Sequence, residues 1–444
     1  MFLKAYAKLN LLLDVLCKRP DGYHELEGIM CRVSLADDIT LEPADGITVE
    51  SDLPLPYSNT CRRAAEAFLG GSGLGVVIKI VKRIPSEAGM GGASADAAAV
   101  LLGLNELYRD TELARTEAEL KELGLKVGAD VPFCLLGGFA AARGVGERLE
   151  PLPGFALPVL AVRGSRGVST GALFKSLGVG PERRSRLTEG AMERAVNALY
   201  SGSAHGLCSE FGNALQPSAE KLAPEIGEYV ERMRKAGAVG ACMTGSGAAV
   251  FGIFDSAEAA ENAKAAFADC EFASVCCTVP GYAPVVIRFR RARESDAALT
   301  AELRRRAWLT TYRGIYPDAL LDGFDSAGRE AHDRAIIVSP TAAAFIIEAD
   351  GKPCGFVFLD LSSGLYVAAL YILREYRGFG IGSLAFSLIR DICRERGLDR
   401  FTCRCNTHNA PALAFYAKMG GRELGRTEGH ENKREDLALL EFDV

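Results

Sequence analysis

The stretch PSEAGMGGASADAAA, residues 85–99, sets glycines at 89, 91 and 92 directly against an alanine-rich run. Before it, VVIKIVKR (76–83) is rich in β-branched residues, as a strand is, and after it Ser94 to Leu107 is rich in Ala and Leu, as a helix is. Strand, glycine loop and helix start therefore follow one another. A helix start carries unpaired N–H groups and a partial positive charge, and glycines let the backbone come close to an anion, so the arrangement suits a polyphosphate. Glycine loops also serve merely to turn a corner, and other stretches have to choose between the two readings. Two familiar phosphate loops fail on detail: a Walker loop ends in Gly-Lys-Ser/Thr, and the dinucleotide fingerprint needs a glycine where Ser94 stands.

Outward from this loop, strand-like and helix-like stretches alternate along all 444 residues, which points to mixed α and β architecture. At roughly 150 residues per domain the chain should hold two or three folding units. Its formal charge of -6 argues against a nucleic-acid coat or a polybasic membrane anchor, leaving small molecules as the expected partners. Thirteen cysteines without paired CxxC spacing read as reduced thiols rather than a disulfide framework or zinc site. The first 26 residues are too interrupted by Lys4, Lys8, Asn10 and Asp14 to be a signal peptide, and no apolar run approaches membrane-spanning length. A cytoplasmic location is expected, and oligomeric state is not legible. After AVFGIF (249–254) and SAEAAENAKAAFA (256–268), the segment TVPGYAP (278–284) reads as a short linker, and VVIRFRRARESDAALTAELRRRAWL starts afresh with a strand and a helix. Arg304 to Arg306 on that helix suit a solvated face better than an anion site.

Three further stretches bear on the loop. AKLNLLLDV (7–15) puts Lys8 and Asn10 two apart in a strand-like run, hence on one face. GADVPFCLLGGF (128–139) puts Asp130 before a proline in a glycine-flanked segment, and GACMTGSGAAVFGIF (240–254) supplies a second glycine turn. Together with PxxxGxGGxSA these resemble the GHMP kinase superfamily. Six ordered motifs, KLNLLLDVLCKRPDGYHEL, IPSEAGMGGASADAAAVLLGLN, GADVPF, STGALF, FGNALQP and the MTGSG turn, narrow the likeness over residues 1–282. They resemble the members that phosphorylate the 2-hydroxyl of a cytidine-diphosphate-linked sugar alcohol in non-mevalonate isoprenoid synthesis. A homoserine or mevalonate-type kinase is the alternative, against which DGYHEL (21–26) speaks.

The resemblance implies that Pro85, Ser86, Glu87, Ala88, Gly89, Met90, Gly91, Gly92, Ala93, Ser94 and Ala95 wrap the phosphates of ATP, with Mg2+ accompanying the nucleotide and no metal ligand assigned in the chain. It implies Asp130 as the base near the acceptor hydroxyl, Lys8 as the charge beside it, and Asn10 as a substrate contact. Without it, Lys8 and Asp130 would equally suit a buried ion pair that only holds strands together. Tyr23 and His24 of DGYHEL, with Phe174 of STGALF, offer a cytosine ring aromatic faces and edge partners, although an Asp-Gly-Tyr-His turn packed on the core is the plainer reading of the spacing. Ser86, Glu87 and Ala88 stand where the family usually has more glycine, and Glu87 adds a negative charge that either points outward or helps hold magnesium.

The second half repeats the logic. The strand-like GLYVAALYIL runs into Arg377, Gly378, Phe379, Gly380, Ile381 and Gly382, and a helix begins near Ser383. This R-G-x-G-x-G, the following RFTCRC and NAPALAFYAKMGG (409–421) resemble the GNAT family of acetyl-CoA-dependent N-acetyltransferases over most of 285–444. The likeness implies that residues 377–382 hold the coenzyme A pyrophosphate, that Asn409 contacts the cofactor and that Tyr416 protonates the leaving thiolate. Read bare, Asn409 is a helix N-cap before Pro411 and Tyr416 a core aromatic. A binding module that only senses acetyl-CoA is the alternative to an enzyme. Glu348 and Asp360 are carboxylates on strand-like stretches, for which a solvated surface role is expected. The implied fold class is α+β: a two-lobed GHMP kinase fold, with an ATP-binding lobe over 1–150 and a C-terminal lobe over 151–282, then a GNAT α/β domain with a mixed central sheet over 285–444.

Overall fold

The computed structural model describes residues 1–444, which separate into two units, Met1–Val286 and Ile287–Val444. In the first, the strands are β1 (Phe2–Lys18), β2 (His24–Ala44), β3 (Ile47–Ser51), β4 (Gly75–Val81), β5 (Phe139–Gly144), β6 (Arg148–Leu152), β7 (Pro158–Arg163), β8 (Gly212–Asn213), β9 (Gly240–Met243), β10 (Val250–Ile253) and β11 (Phe272–Cys277). β1 and β2 form a long antiparallel ribbon, running in register from Phe2↔Thr40 to Lys18↔His24. β4 and β3 extend it beside one half of β2, β5 and β6 beside the other, and β8 adds a short parallel pairing to β1. The ladder slips between Tyr6 and Lys8 and again between Asn10 and Leu12. Such bulges re-aim side chains, and these two bracket the Lys8–Asn10 pair.

β1 reads as nearly continuous apolar sequence because both its faces are covered, with Leu3 through Leu16 mostly buried. Helix Gly92–Leu107 lies on it, brought close by Gly103, where an added Cβ would meet Leu41 and Leu3 at 2.6 and 2.8 Å. A second, wholly antiparallel sheet in the order β11-β7-β10-β9 packs Leu160, Val162, Met243 and Val250 against Ile226, Val230 and Met233 of helix Glu225–Lys235. Each such buried aliphatic contributes roughly 1.5–3 kcal/mol, whereas an exposed ion pair contributes about 0–1 kcal/mol, so the apolar layers rather than the many surface charges hold the unit together. Segment 278–284 runs up to the division at Val286/Ile287, and its first two residues are held by the first unit. Thr278 Oγ1 accepts from Leu157 N and donates to Phe155 O, both at 2.8 Å, and Val279 N donates to Arg32 O at 2.9 Å.

The second unit contains β12 (Val286–Arg291), β13 (Ala342–Ala349), β14 (Lys352–Asp360), β15 (Tyr366–Ile372), β16 (Arg400–Asn406), β17 (Arg422–Thr427) and β18 (Leu437–Asp443), ordered β12-β13-β14-β15-β16-β18-β17. The sheet is mixed: all neighbours are antiparallel except β15 and β16, which pair in parallel only at Tyr366↔Thr402 and Val367↔Cys403. Beyond Val367 the two strands diverge.

Two expectations of solvated charge fail in this unit. Arg304 is only 6% exposed, donates to Asp333 Oδ1 at 3.0 Å and lies over the rings of Phe356, Phe358 and Tyr371, while Arg305 and Arg306 remain on the solvent side. Glu348 is 7% exposed and accepts from Arg290 Nε at 2.7 Å. Both acquire partners from other elements, which is what allows a charge to be buried. No helix of the chain is long and apolar enough to cross a membrane.

Candidate active sites

Lys8 projects from β1 into an almost fully enclosed position, where its Nζ donates to Asn10 Oδ1 at 2.5 Å and stands 3.4 Å from Asp130 Oδ2. Asp130 is the N-cap residue of the short helix Val131–Leu136, with Pro132 in its first turn. Its carboxylate makes no capping bond and is partly open to solvent, so it stays available beside the ammonium.

The glycine loop meets this pair from above. Lys8 N donates to Met90 O at 2.9 Å, and an added Cβ at Gly91 would strike Lys8 Cγ at 2.8 Å. Helix Gly92–Leu107 opens on Gly91 in the left-handed region with no side-chain cap, which leaves the first N–H groups of the helix for an outside acceptor. Met90 and Gly91 of the loop, Lys8, Asn10 and Asp130 are thus brought to one place.

What fixes the loop is a set of residues to which the sequence reading gave no role. Thr244 Oγ1 accepts from Asn10 N at 2.9 Å and approaches Gly89 O at 3.4 Å, while Ala248 N and Ala249 N donate to Glu87 O and Ala88 O. Asn213 holds this turn from behind, donating from Nδ2 to Met243 O and Gly245 O at 2.9 and 2.8 Å. The signals were present as MTGSG and FGNALQP, but which surface they brace depends on pairing across more than 150 residues. Glu87 turns its carboxylate toward Gly167.

Beneath the loop, Lys82 Nζ lies 2.5 Å from Asp37 Oδ2 and 2.6 Å from Asp96 Oδ2, all three buried. One ammonium between two carboxylates cannot balance both. Burial pushes the Asp96 carboxyl up from 3.8 to about 7 against the pull of Lys82. Because the folded value lies above the unfolded one, this group's contribution to stability is complete below pH 3.8, ebbs as the pH rises and is gone above about 7. Denaturant titrations from pH 5 to 8 should therefore show wild type losing stability relative to Asp96→Asn; parallel curves would refute the shift.

The aromatic residues expected for a base also converge. His24 stacks on Phe174, centroids 4.9 Å apart and planes 27° from parallel, and burial followed by the Lys18 charge lowers the imidazole pKa and favours its neutral form. Phe174 rides on helix Thr170–Ser176, whose Thr170 hydroxyl meets Ser246 Oγ at 2.8 Å, so the stack and the glycine loop share the 243–247 turn. Tyr23 stands apart in the Arg19–Tyr23 turn, 65% exposed.

In the second unit, helix Ile381–Glu395 opens on Gly380, again left-handed and again without a side-chain cap. Arg377, though exposed, is tied back to the chain: its Nε donates to Ile372 O at 2.9 Å and its Nη2 to Thr311 Oγ1 at 2.8 Å, bracing the loop that Gly378 and Phe379 continue. Gly382 lies where an added Cβ would meet Phe415 at 3.0 Å, which seats helix Ala410–Lys418 beside the loop. Asn409 Oδ1 accepts from Ala412 N at 3.3 Å and caps that helix. Tyr416 packs among Phe386, Phe415 and Phe442, and burial, followed by Cys403 and Cys405, drives its hydroxyl well above the usual phenol range. Next to Asn409, His408 and His430 donate to opposite oxygens of Asp436 at 2.8 Å.

Comparison with known proteins places this geometry. The GHMP kinases N terminal domain model matches residues 59–138, the GHMP kinases C terminal model residues 191–272, and the acetyltransferase (GNAT) family model residues 305–421. The 4-diphosphocytidyl-2-C-methyl-D-erythritol kinase of Pelotomaculum thermopropionicum is 41% identical over 273 residues, covering 59% of this chain and 92% of that protein. The enzyme of the same name from Desulfitobacterium hafniense is 41% identical over 266 residues, covering 59% and 89%. A crystal structure of 4-(cytidine 5'-diphospho)-2C-methyl-D-erythritol kinase superposes with a TM-score of 0.54 at 37% identity, covering 63% of this chain and all of that one.

Proposed function

Over its first unit the chain belongs to the 4-diphosphocytidyl-2-C-methyl-D-erythritol kinase family, and from that premise we propose a bifunctional enzyme. The first unit transfers the γ-phosphate of ATP to the 2-hydroxyl of 4-diphosphocytidyl-2-C-methyl-D-erythritol, in non-mevalonate isoprenoid synthesis. The second transfers the acetyl group of acetyl-CoA to an amine. The observation that carries the kinase reading is the Lys8–Asp130 pair set against an uncapped, glycine-lined helix start. Phosphoryl transfer asks for a cradle for charge, an aligned acceptor and a place for the acceptor's proton. The N–H groups of residues 89–94 supply the cradle, that of Ala95 being already bonded to Gly91 O at 2.8 Å. Asp130 takes the hydroxyl proton as the oxygen meets phosphorus, and Lys8 with Asn10 holds that carboxylate in place and offsets charge beside it.

The His24–Phe174 stack is the platform for the cytosine ring, and Tyr23, 65% exposed in its own turn, is not part of that stack. Ring stacking of this kind is worth about 0.5–1.5 kcal/mol. Phe174→Ala should therefore raise KM for the cytidine substrate roughly three- to tenfold while leaving KM for ATP unchanged in a coupled ADP assay; an unchanged substrate KM would remove the stack from the site. Magnesium belongs to the reading as the ATP complex, and no group of three or more His, Cys, Asp or Glu side chains is arranged to hold it independently.

In the second unit the N–H groups after Arg377 receive the coenzyme A pyrophosphate, from Gly378 to Gly382. Asn409 contacts the cofactor beside that loop, and Tyr416 returns a proton to the departing thiolate. Thiol release on mixing acetyl-CoA with amines separates this enzyme from a binding module. A cytoplasmic setting suits both reactions. Burial pushes the Cys134, Cys242 and Cys276 thiols up to about 12, which keeps them protonated and inert.

A further inference from the structure

The second unit holds a cavity of about 630 Å3 lined by Trp308, Phe324, Arg329, His332 and Arg434, among others. That volume suits a small organic ligand. Its walls come from helix Ala297–Thr311, the segment after it, helix Ser326–Val338 and the loop between β17 and β18. Trp308 connects it to the sheet, donating from Nε1 to Tyr371 Oη at 3.0 Å, and Tyr371 lies in the part of β15 that has parted from β16. Strand β15 runs on into the Arg377–Gly382 loop, so the cavity adjoins the strand that leads to the acetyl-CoA site.

The charges of the cavity are unusual. Arg329 and Arg434 both reach it without a carboxylate partner: Arg434 lies over the Trp308 ring at 5.4 Å, and Arg329 makes no ion pair. Two acids lie nearby, Asp325 in the lining itself and Asp333 with Oδ2 unbonded, and neither forms an ion pair with Arg329 or Arg434. Asp325 Oδ1 accepts from Gly328 N at 2.9 Å, and Asp333 Oδ1 pairs with Arg304. Burial and then the Arg304 charge lower the Arg329 pKa, with Asp333 opposing and Arg434 adding to the fall. Two unpaired guanidinium forks beside an aromatic floor match a planar or tetrahedral anion attached to an apolar body.

We infer that this cavity is the acceptor site of the acetyltransferase, and that the acceptor is a primary amine carrying a carboxylate or phosphate on an apolar or aromatic body, not a polyamine. The inference deepens the acetyltransferase reading and rests on it. Because Trp308 is the single tryptophan of the chain, its fluorescence reports occupancy of the cavity without any turnover. Full-length protein with acetyl-CoA would be titrated with L-phenylalanine, 2-aminoethyl phosphate, phenethylamine and spermidine, following Trp308 emission and thiol release in parallel.

The expected result is saturable emission change and thiol release with one of the two acidic amines, at an affinity about tenfold or more above that for phenethylamine and spermidine. L-Phenylalanine against 2-aminoethyl phosphate tells carboxylate from phosphate. Arg329→Gln and Arg434→Gln should each abolish the preference while acetyl-CoA binding, measured by calorimetry, stays at the wild-type value. Equal response to phenethylamine or spermidine, or variants that keep the preference, would overturn the inference and leave the acetyltransferase standing. Acidic amines that perturb Trp308 while thiol is released only with other amines would also overturn it. Acetyl-CoA binding with no thiol released from any amine would sink both.

Discussion

Asp130→Ala should lower phosphoryl transfer by about three orders of magnitude, within the span of a lost general base, and leave acetyl-CoA binding by the second unit intact. The number separates two readings of the Lys8–Asp130 pair. Were the pair only a structural brace, its loss would appear as instability. Stripping one partner from a fully buried ion pair costs about 3–5 kcal/mol. Here the cost should be well below that, because Asp130 is 36% exposed and water can take its place, and Lys8 keeps Asn10 Oδ1 at 2.5 Å. A large fall in kcat with a small fall in denaturation midpoint is the catalytic signature. Asp130→Asn preserves the shape and tests the proton alone: an amide cannot accept the hydroxyl proton, so the variant should be nearly as slow as Asp130→Ala. Restoration of kcat by Lys8→Met in the Asp130→Ala background would show that the variant had failed through an unpaired ammonium, and the assignment of Asp130 as base would fall with it.

The parts of this molecule legible in sequence are those whose chemistry is local. A glycine loop that must abut a helix start is written within fifteen residues, 85–99, and the Lys8–Asn10 pair within three on one strand. Both glycine-to-helix junctions are present, but the helices begin at Gly92 and Ile381, two residues ahead of the Ser94 and Ser383 starts that the pattern suggests. Illegible were the groups whose state depends on a distant partner. Helical spacing puts Arg304 on a charged stripe, yet Asp333, a helix away, draws it inside, and Arg290 does the same for Glu348. Periodicity reports which face a residue occupies and says nothing about whether a counter-ion waits there. The same blindness hid Thr244 and Asn213, small polar residues in glycine-rich surroundings whose value lies in bracing residues 87–90. The Pro-Gly-Pro spacing of 278–284 marks the approach to the division between the units but gives no hint of how the segment's start is held. Its backbone bonds to Arg32 and its Thr278 bonds to residues 155 and 157 are all non-local.

That bracing is where the second large effect is expected. Gly89 sits at φ +70, and a Cβ there would lie 2.2 Å from Thr244 O and 3.0 Å from Gly247 N, both backbone atoms that cannot swing aside. Gly89→Ala must push the loop away from the turn that fixes it, and the N–H groups of the cradle move with it. Electrostatic stabilisation depends on donors already aimed at the anion, so misplacement by about an ångström is costly. KM for ATP should rise and kcat fall, for a combined loss of about a hundredfold in kcat/KM. The left-handed conformation by itself penalises an alanine by roughly 1–2 kcal/mol, and this must be subtracted before the collision is credited. Gly71 allows the subtraction: its φ is +78 and an added Cβ meets nothing within 4 Å. Gly71→Ala should show the conformational penalty in a urea melt with kinase parameters unchanged, whereas Gly89→Ala should add a further 1–3 kcal/mol of overpacking together with the loss of ATP turnover. If the two variants proved alike in stability and rate, the close seat of Gly89 on Thr244 would have no part in positioning the phosphates, and the cradle would have to be rigid for some other reason.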